Sequence, residues 1–263
     1  MKIAVSGKGG VGKTLLSALL ALEFARNGYS VLAIDADPDT NLAATLGFPA
    51  PEEIIPVSEM ADLIEERTGA KPGQPGTLFK LNPKVDDIPE KYAREYQGIR
   101  IMAMGRLKRG GSGCYCPENA LLQALISHLL LRKNEVVILD MAAGIEHLGR
   151  ATARAVNVFI VVVEPGRKSI DTAIRIKKLA ADIGVANIVA TGNKIRSQAD
   201  REFLKTNLPN ITFLGFIPYD QSIIDADISG RDVVNHLSKP VKDEITMIFN
   251  KLVDIISETI SAK

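Results

Sequence analysis

Cysteine is scarce in this sequence, which contains only Cys114 and Cys116, separated by one residue. Two neighbouring thiols are too few for a disulfide framework, so they indicate a reducing compartment and remain available for chemistry. Long apolar runs are missing as well. No stretch approaches the roughly 18 uninterrupted apolar residues of a membrane-spanning helix, and the run before Gly7 is too short for a signal-peptide core. We therefore expect a cytoplasmic protein with no membrane partner.

The sequence also lacks an excess of either charge. Its 32 basic and 31 acidic side chains leave a net charge of +1 at pH 7, so no global field attracts nucleic acid or an anionic surface. We expect no nucleic-acid partner. The length of 263 residues suits one large α/β unit, and we expect a single domain over residues 1–263.

Several short apolar runs have the character of buried parallel strands, because a strand with one solvated face would alternate polar and apolar residues. The predicted strands are Ile3 to Ser6, Val31 to Ile34, Val136 to Leu139, Val158 to Val163, Ile188 to Thr191 and Phe213 to Ile217. Helical patterns such as Leu15 to Arg26 and Ile170 to Ile183 lie between them. This alternation predicts an α/β fold with a mostly parallel sheet covered by helices on both faces.

One stretch departs from this alternation. Gly47 to Gly113 holds seven of the thirteen prolines and predicts an elaborated insertion at about 47–113, not a linker between domains. A helix should begin near Pro117, because proline suits the first helical turn and Glu118 complements the helix dipole. The final helix, Val241 to Ile260, has an apolar stripe that predicts docking on the core.

A glycine-rich segment between the first strand and the first helix matches the phosphate-loop pattern. Its sequence is Gly7-Lys8-Gly9-Gly10-Val11-Gly12-Lys13-Thr14. The glycines let backbone N–H groups converge on phosphate oxygens, and the start of the helix adds its positive end. Lys13 should contact the β- and γ-phosphates, and Thr14 should bind Mg²⁺. The segment therefore predicts a P-loop nucleotide triphosphatase that binds ATP/ADP and Mg²⁺.

Carboxylates follow two of the predicted strands. Asp35, Asp37 and Asp39 come after the second strand, and Asp140 ends the third. Ligands of open α/β sheets bind at the carboxyl edge of the strands, where these residues should meet. Taken without the phosphate loop, strand-end carboxylates suit helix capping equally well.

The cysteine pair suggests a metal site of its own. If the segment is extended, residues two apart point the same way, so both thiols can reach one ion. A following helix N-terminus favours their thiolate forms. A structural zinc site needs four ligands, and a symmetric dimer would supply the other two. The alternative from spacing alone is a pair of free, partly buried thiols.

Lys8 stands at a position where the general phosphate-loop pattern needs no lysine. With it, residues 8–14 resemble the deviant phosphate loop of the ParA/MinD and nitrogenase iron-protein superfamily, in which ATP-bound subunits dimerise face to face. The resemblance implies that Lys8 crosses the dimer interface to the phosphates of the partner subunit. It also implies that Asp37 orients the attacking water with support from Asp35, so the expected catalytic residues are Lys8, Lys13 and Asp37.

The same resemblance implies Mg²⁺ and base contacts. Asp140 matches a carboxylate that binds Mg²⁺ through water, and Gly144 matches a hinge that reads the γ-phosphate. Asn193 and the segment after Pro218 match adenine contacts, while Asn193 also suits a turn. Many relatives have threonine in place of Leu15, so a hydroxyl aimed at the α-phosphate is missing here. The expected nucleotide-binding residues are Gly9, Gly10, Val11, Gly12, Lys13, Thr14, Leu15, Asn193, Pro218 and Tyr219.

Residues 114–119 and 140–148, together with the phosphate loop, resemble the CooC-type maturation ATPases of carbon monoxide dehydrogenase, and the likeness extends over nearly the whole chain. It implies ATP-dependent help in nickel insertion and a homodimer formed on ATP or metal binding. It further implies Ni²⁺ or Zn²⁺ held across the dimer by Cys114 and Cys116, and a nickel enzyme as client.

The sequence is also compatible with other functions. The client in this pattern is carbon monoxide dehydrogenase, but another nickel enzyme such as acetyl-CoA synthase fits as well. Electron transfer through an interfacial cubane cluster would resemble the iron-protein branch, whose cysteines are far apart in sequence. A positioning or partition switch needs a basic DNA-binding face or a lipid-seeking tail, and the only hint is the small cluster Arg106 to Arg109.

Overall fold

One mixed sheet organises the computed structural model, which describes residues 1–73, 78–105, 116–131, 135–142, 155–230 and 232–261. Its strands are β1 (Lys2–Gly7), β2 (Val31–Ala36), β3 (Arg94–Tyr96), β4 (Ile99–Ala103), β5 (Val136–Met141), β6 (Val158–Val163), β7 (Ile188–Ile195) and β8 (Thr212–Pro218). The α-helices of the described residues are α1 (Lys13–Arg26), α2 (Leu42–Thr45), α3 (Ala61–Thr68), α4 (Ile88–Tyr92), α5 (Pro117–Leu131), α6 (Arg167–Ile183), α7 (Gln198–Asn207), α8 (Gln221–Ile228) and α9 (Lys239–Ser261).

The order of strands across the sheet is β3-β4-β2-β5-β1-β6-β7-β8. All neighbours are parallel except β3 and β4, which form an antiparallel hairpin at one edge. The parallel strands therefore end at a common edge, and Asp35 on β2 is the register partner of Asp140 on β5. This edge is where ligand-binding residues of an open α/β sheet collect.

Two apolar layers cover the faces of the sheet. On one face, α1 and α9 share a core in which the fully buried Phe24 meets the rings of Tyr29 and Phe249 edge to face, with centroids 5.3 and 4.9 Å away. On the other face, α5 and α6 contribute buried side chains such as Leu125 and Ile176. Because both faces are covered, β1, β2, β5 and β6 are buried along their whole length, which explains their continuously apolar sequences.

The predicted α/β fold and the predicted strands are confirmed, and α5 begins at Pro117 as expected. The stripe on α9 docks as predicted, since Ile245, Ile248 and Leu252 are buried. Among the described residues, none of the helices combines the length and the apolarity that a bilayer crossing requires.

Two parts of the sheet were not predicted. β3 and β4 lie inside the proline-rich stretch 47–113, and β4 pairs in parallel with β2 as an integral strand. The polar Arg100, the second residue of β4, interrupts the apolar run that would have indicated this strand. The predicted strand Ile188 to Thr191 continues to Ile195, and its pairing with β8 shifts register between Gly192 and Ile195. This irregularity places Asn193 and Lys194 beside the phosphate loop.

Candidate nucleotide site

The phosphate loop links the end of β1 to the start of α1. Gly12 is the residue before α1 and has φ of 96°, a left-handed conformation that glycine adopts without strain. A Cβ atom at this position would overlap the side-chain amide of Asn193, so a larger residue is excluded by space as well. The first-turn N–H groups of an α-helix have no partners within the helix, so the start of α1 beside the loop is suited to binding phosphate oxygens.

Asn193 and Lys194 hold the loop from the neighbouring strand β7. The side-chain amide nitrogen of Asn193 donates to the carbonyl of Val11 at 2.7 Å, and the residue is 4% exposed. The Lys194 ammonium donates to the carbonyl of Gly10 at 2.6 Å. Lys194 has φ of 58°, which is uncommon for a residue other than glycine and belongs to the register shift of β7. Two consecutive loop carbonyls are thereby fixed, so the loop N–H groups keep their orientation.

A cavity of about 640 Å³ opens in front of this loop. Its walls include Gly9, Gly10, Gly12, Lys13, Thr14 and Asp37. The Lys13 ammonium is nearly buried and lies 3.8 Å from a carboxylate oxygen of Asp37. A positive and a negative group therefore face the same cavity, one suited to a phosphate and the other to a water molecule. A second cavity of similar volume, beside Phe48 and Asp232, shares Asn41 with this one and is lined by none of the predicted site residues.

Two buried carboxyl groups lie behind the cavity. Burial raises the pKa of Asp35 to about 6, although its oxygens accept hydrogen bonds from the N–H groups of Leu42 and Asp37. Burial, helped by the charge of Asp35, raises the pKa of Asp140 to about 7, while hydrogen bonds from Thr14 and Ser17 and the charge of Lys13 act in the opposite direction. A bound cation would favour the ionised form of both groups.

The residues present fit Mg²⁺. One oxygen of Asp140 accepts the Ser17 hydroxyl at 3.1 Å, and the other is buried without a hydrogen-bond partner in the part of the chain that the structure describes. The hydroxyl of Thr14 also acts on this carboxyl group, where it helps to lower the pKa of Asp140. A carboxylate and a hydroxyl oxygen are the hard donors that Mg²⁺ prefers, and the orphaned oxygen suits a water of its hydration shell.

Lys8 forms an ion pair with a residue of its own chain. Its ammonium lies 3.3 Å from one oxygen of Glu164, the residue after β6, and the other oxygen accepts Lys194 at 3.1 Å. Partial burial works to raise the pKa of Glu164, but the two lysines outweigh it and hold the pKa below its usual range. The carboxylate therefore stays ionised and links the loop to β7.

The adenine contacts expected from sequence lie around the ends of β7 and β8. The side-chain nitrogen of Asn193 is already bound to the loop, as described above, so this residue has a clear structural task besides any base contact. Pro218 ends β8, and the N–H of Tyr219 donates to the carbonyl of Ile195. The guanidinium of Arg196 covers the Tyr219 ring at 4.8 Å from its centroid. Leu15 packs its side chain against the core beneath α1.

The metal prediction falls mostly outside the described residues. Cys116 is a partly buried residue just before α5 and belongs to the described residues. Cys114, Gly144 and the cluster Arg106 to Arg109 lie outside them. Within the described ranges, no group of three or more His, Cys, Asp or Glu side chains is placed to hold a metal ion. A site completed by Cys114 therefore remains a prediction.

Sequence reasoning missed Glu164, Ser17 and the roles of Asn193 and Lys194 in holding the loop. Glu164 had a usable signal, because it directly follows a buried strand just as Asp37 and Asp140 occupy strand ends. Ser17 is one turn beyond Lys13 on the buried side of α1 and reads as an ordinary small core residue. Its contact with Asp140 depends on how β5 lies beneath the helix.

Comparisons with known proteins find related nucleotide-binding proteins. The model of the CobQ/CobB/MinD/ParA nucleotide-binding domain matches residues 2–233. An uncharacterised ATP-binding protein of Methanocaldococcus jannaschii is 45% identical over 98% of this chain and all of its own length. The carbon monoxide dehydrogenase accessory protein CooC of Rhodospirillum rubrum is 43% identical over 98% of both chains. Among solved structures, the MinC:MinD cell division complex of Aquifex aeolicus contains a chain with a TM-score of 0.68 and 20% identity, covering 96% of this chain and 95% of that one.

Proposed function

The chain belongs to the CobQ/CobB/MinD/ParA family of nucleotide-binding domains, and from that premise we propose that it is a dimerising ATPase that assists nickel insertion into carbon monoxide dehydrogenase. The observation that carries the ATPase part is one cavity at the carboxyl edge of the sheet, which Lys13 and Asp37 line and behind which Asp140 is buried. The relative that carries the client part is the CooC protein of Rhodospirillum rubrum, which is similar over almost the full length.

In this proposal the phosphate loop binds ATP through its N–H groups and through Lys13, whose charge offsets the β- and γ-phosphates. Thr14, together with Asp140 acting through water, holds Mg²⁺, which neutralises phosphate charge. Asp37 lines the same cavity, 3.8 Å from the Lys13 ammonium, and orients the water that attacks the γ-phosphate. The products are ADP and phosphate. Asp35 supports this arrangement, because one of its oxygens accepts the N–H of Asp37 at 3.1 Å.

Two subunits associate face to face in the ATP-bound state, and Lys8 of each then contacts the phosphates of the other. A lysine that neutralises the partner's nucleotide makes association depend on that nucleotide. Hydrolysis weakens the contact and returns the subunits to the separated state. Dimerisation is therefore coupled to the chemical state of the nucleotide.

The cargo is Ni²⁺, with Zn²⁺ as a competing ion. Cys114 and Cys116 of the two chains supply four thiolates to one ion at the dimer interface, which satisfies the preference of a borderline-soft metal for several sulfur ligands. Because ATP and metal favour the same dimer, each changes the affinity for the other, and hydrolysis provides a route for metal release.

Activation of nickel-deficient carbon monoxide dehydrogenase tests the proposed function. The client should regain activity with Ni²⁺, ATP and this chain, and should regain much less with the Lys13→Ala variant. Nickel-deficient acetyl-CoA synthase, treated in parallel, distinguishes the two clients. Equal activation by Ni²⁺ with and without the chain would contradict the proposal for that client.

A further inference from the structure

Glu164 binds two lysines, Lys8 of the phosphate loop and Lys194 of β7. Its oxygens accept Lys8 at 3.3 Å and Lys194 at 3.1 Å. Its own N–H donates to the buried hydroxyl of Ser169 at the start of α6, at 3.1 Å. Lys194 in turn is fixed by the carbonyl of Gly10. Glu164 is thus held by its backbone N–H and by the carboxylate oxygen that binds Lys194. The ammonium of Lys8, in contrast, is carried on a flexible chain of four carbons.

This contact competes with the role of Lys8 in dimerisation. A lysine that neutralises phosphates in the partner subunit must first leave the carboxylate that binds it within its own chain. We propose that Glu164 is the resting-state counter-ion of Lys8, a positioning residue that holds this lysine in the separated subunit and releases it when two nucleotide-bound subunits meet. The inference rests on the ATP-dependent dimer of the proposed function.

The exposure of both side chains makes it feasible for Lys8 to leave Glu164 and contact the partner's phosphates. The side chains of Lys8 and Glu164 are 36% and 23% exposed, so the ion pair is reached by water and by an approaching ligand. Lys13, in contrast, is 8% exposed and remains within the cavity. Lys8 is therefore the more accessible lysine of the loop, and in this proposal its ion pair with Glu164 opposes dimerisation.

The expected change in the dissociation constant of the dimer follows from the partial exposure of the ion pair between Lys8 and Glu164. A partly exposed ion pair shifts an equilibrium by about 1.4- to 5-fold. Each dimer requires two such pairs to open, so the factors multiply and the dissociation constant of the dimer should change by about 2- to 30-fold.

The first experiment compares Glu164→Gln with wild type by sedimentation over a range of protein concentrations, with Mg²⁺ and a non-hydrolysable ATP analogue. Glu164→Gln should lower the dissociation constant of the dimer by about 2- to 30-fold. Glu258→Gln serves as the charge-matched control, because it neutralises an exposed carboxylate near the end of α9. This variant should leave the dissociation constant of the dimer unchanged. An equal or weaker dimer in Glu164→Gln overturns the inference.

A double-mutant cycle shows whether the effect passes through Lys8. In a Lys8→Ala background, Glu164→Gln should no longer strengthen the dimer, because the competing pair is already absent. The same strengthening in both backgrounds overturns the inference, since Glu164 would then act on the interface by another route.

A measurement on the nucleotide-free protein isolates the resting contact. The rate at which an acylating reagent modifies Lys8, followed by peptide mass spectrometry, should rise by about 1.4- to 5-fold in Glu164→Gln, and an unchanged rate overturns the inference. Different results would contradict the proposed function and the role of Glu164. A wild-type protein that never dimerises with the ATP analogue overturns both, whereas wild-type dimerisation with no change in Glu164→Gln overturns only the role of Glu164.

Discussion

Asp35 and Asp140 are register partners on the adjacent parallel strands β2 and β5, and their side chains are both buried behind the phosphate loop. The pairing brings two distant parts of the sequence to one edge of the sheet. It also fixes Asp37, because an oxygen of Asp35 accepts the Asp37 N–H. The carboxylate expected to orient water and the carboxylate expected to support Mg²⁺ are therefore positioned by one pair of strands.

Lys13→Ala and Asp37→Ala should have different effects on nucleotide turnover. Lys13→Ala removes the charge that offsets the phosphates in the ground state, and the affinity for ATP should fall by roughly 10- to 150-fold. Asp37→Ala should leave the affinity within a few-fold of wild type and lower kcat by about 100- to 10,000-fold, as for a residue that acts mainly in the transition state. Titration calorimetry and phosphate release measure the two quantities, and an equal loss of affinity in both variants would contradict this division.

Lys8→Ala should bind ATP as a single subunit but form fewer ATP-dependent dimers. The physical reason is that a lysine facing the partner's phosphates contributes only when two subunits meet. Size analysis with and without the ATP analogue is the measurement. Lys251→Ala, a charge-matched change on the exposed side of α9, should dimerise like wild type. An undiminished dimer in Lys8→Ala would count against the role of Lys8.

Asn193→Ala tests whether this residue holds the loop or reads the base. The variant leaves the carbonyl of Val11 without its buried donor, so ATP, GTP and inorganic triphosphate should all bind about 5- to 150-fold more weakly. If Asn193 only contacted adenine, the substitution would change the affinity for ATP but not the affinity for inorganic triphosphate. Competition binding with the three ligands separates the two outcomes.

Cys114→Ser and Cys116→Ser should each lose the bound metal and keep ATP binding, because the phosphate loop is built from other residues. Wild type should bind one Ni²⁺ or Zn²⁺ per dimer, with metal promoting association. Metal analysis and size analysis of the same samples check this, and a thiolate-bound Ni²⁺ site should be coloured where Zn²⁺ is not. One ion per monomer with no change in association would exclude a shared site.

Phe24→Ala should destabilise the fold by about 3–5 kcal/mol, because the ring is fully buried between α1 and α9 and the site cannot collapse completely. Met247→Ala on the exposed face of α9 is the control, since the side chain is 51% exposed, and should change stability by no more than about 0.5 kcal/mol. Urea unfolding measures both. Similar midpoints for the two variants would mean that α9 contributes little to the core.

Much of the fold could be predicted from the sequence because it depends on local patterns of apolar residues. The strands of the sheet centre are buried on both faces, so each is a short apolar run that needs no knowledge of its neighbours. β4 was missed because Arg100 interrupts its apolar run in a proline-rich stretch, and the continuation of β7 was missed because Asn193 and Lys194 read as a turn. In both cases pairing with another strand decided the structure.

The sequence by itself determined the phosphate loop, since Gly7 to Thr14 are contiguous and their spacing alone shapes the backbone around a phosphate. It also placed Asp37 and Asp140 at strand ends. Only the tertiary structure decided that Asn193 and Lys194 hold the loop carbonyls and that Glu164 binds Lys8. These contacts join β1, β6 and β7, and they exist because the strand order makes those strands neighbours, a non-local property that no single segment of sequence encodes.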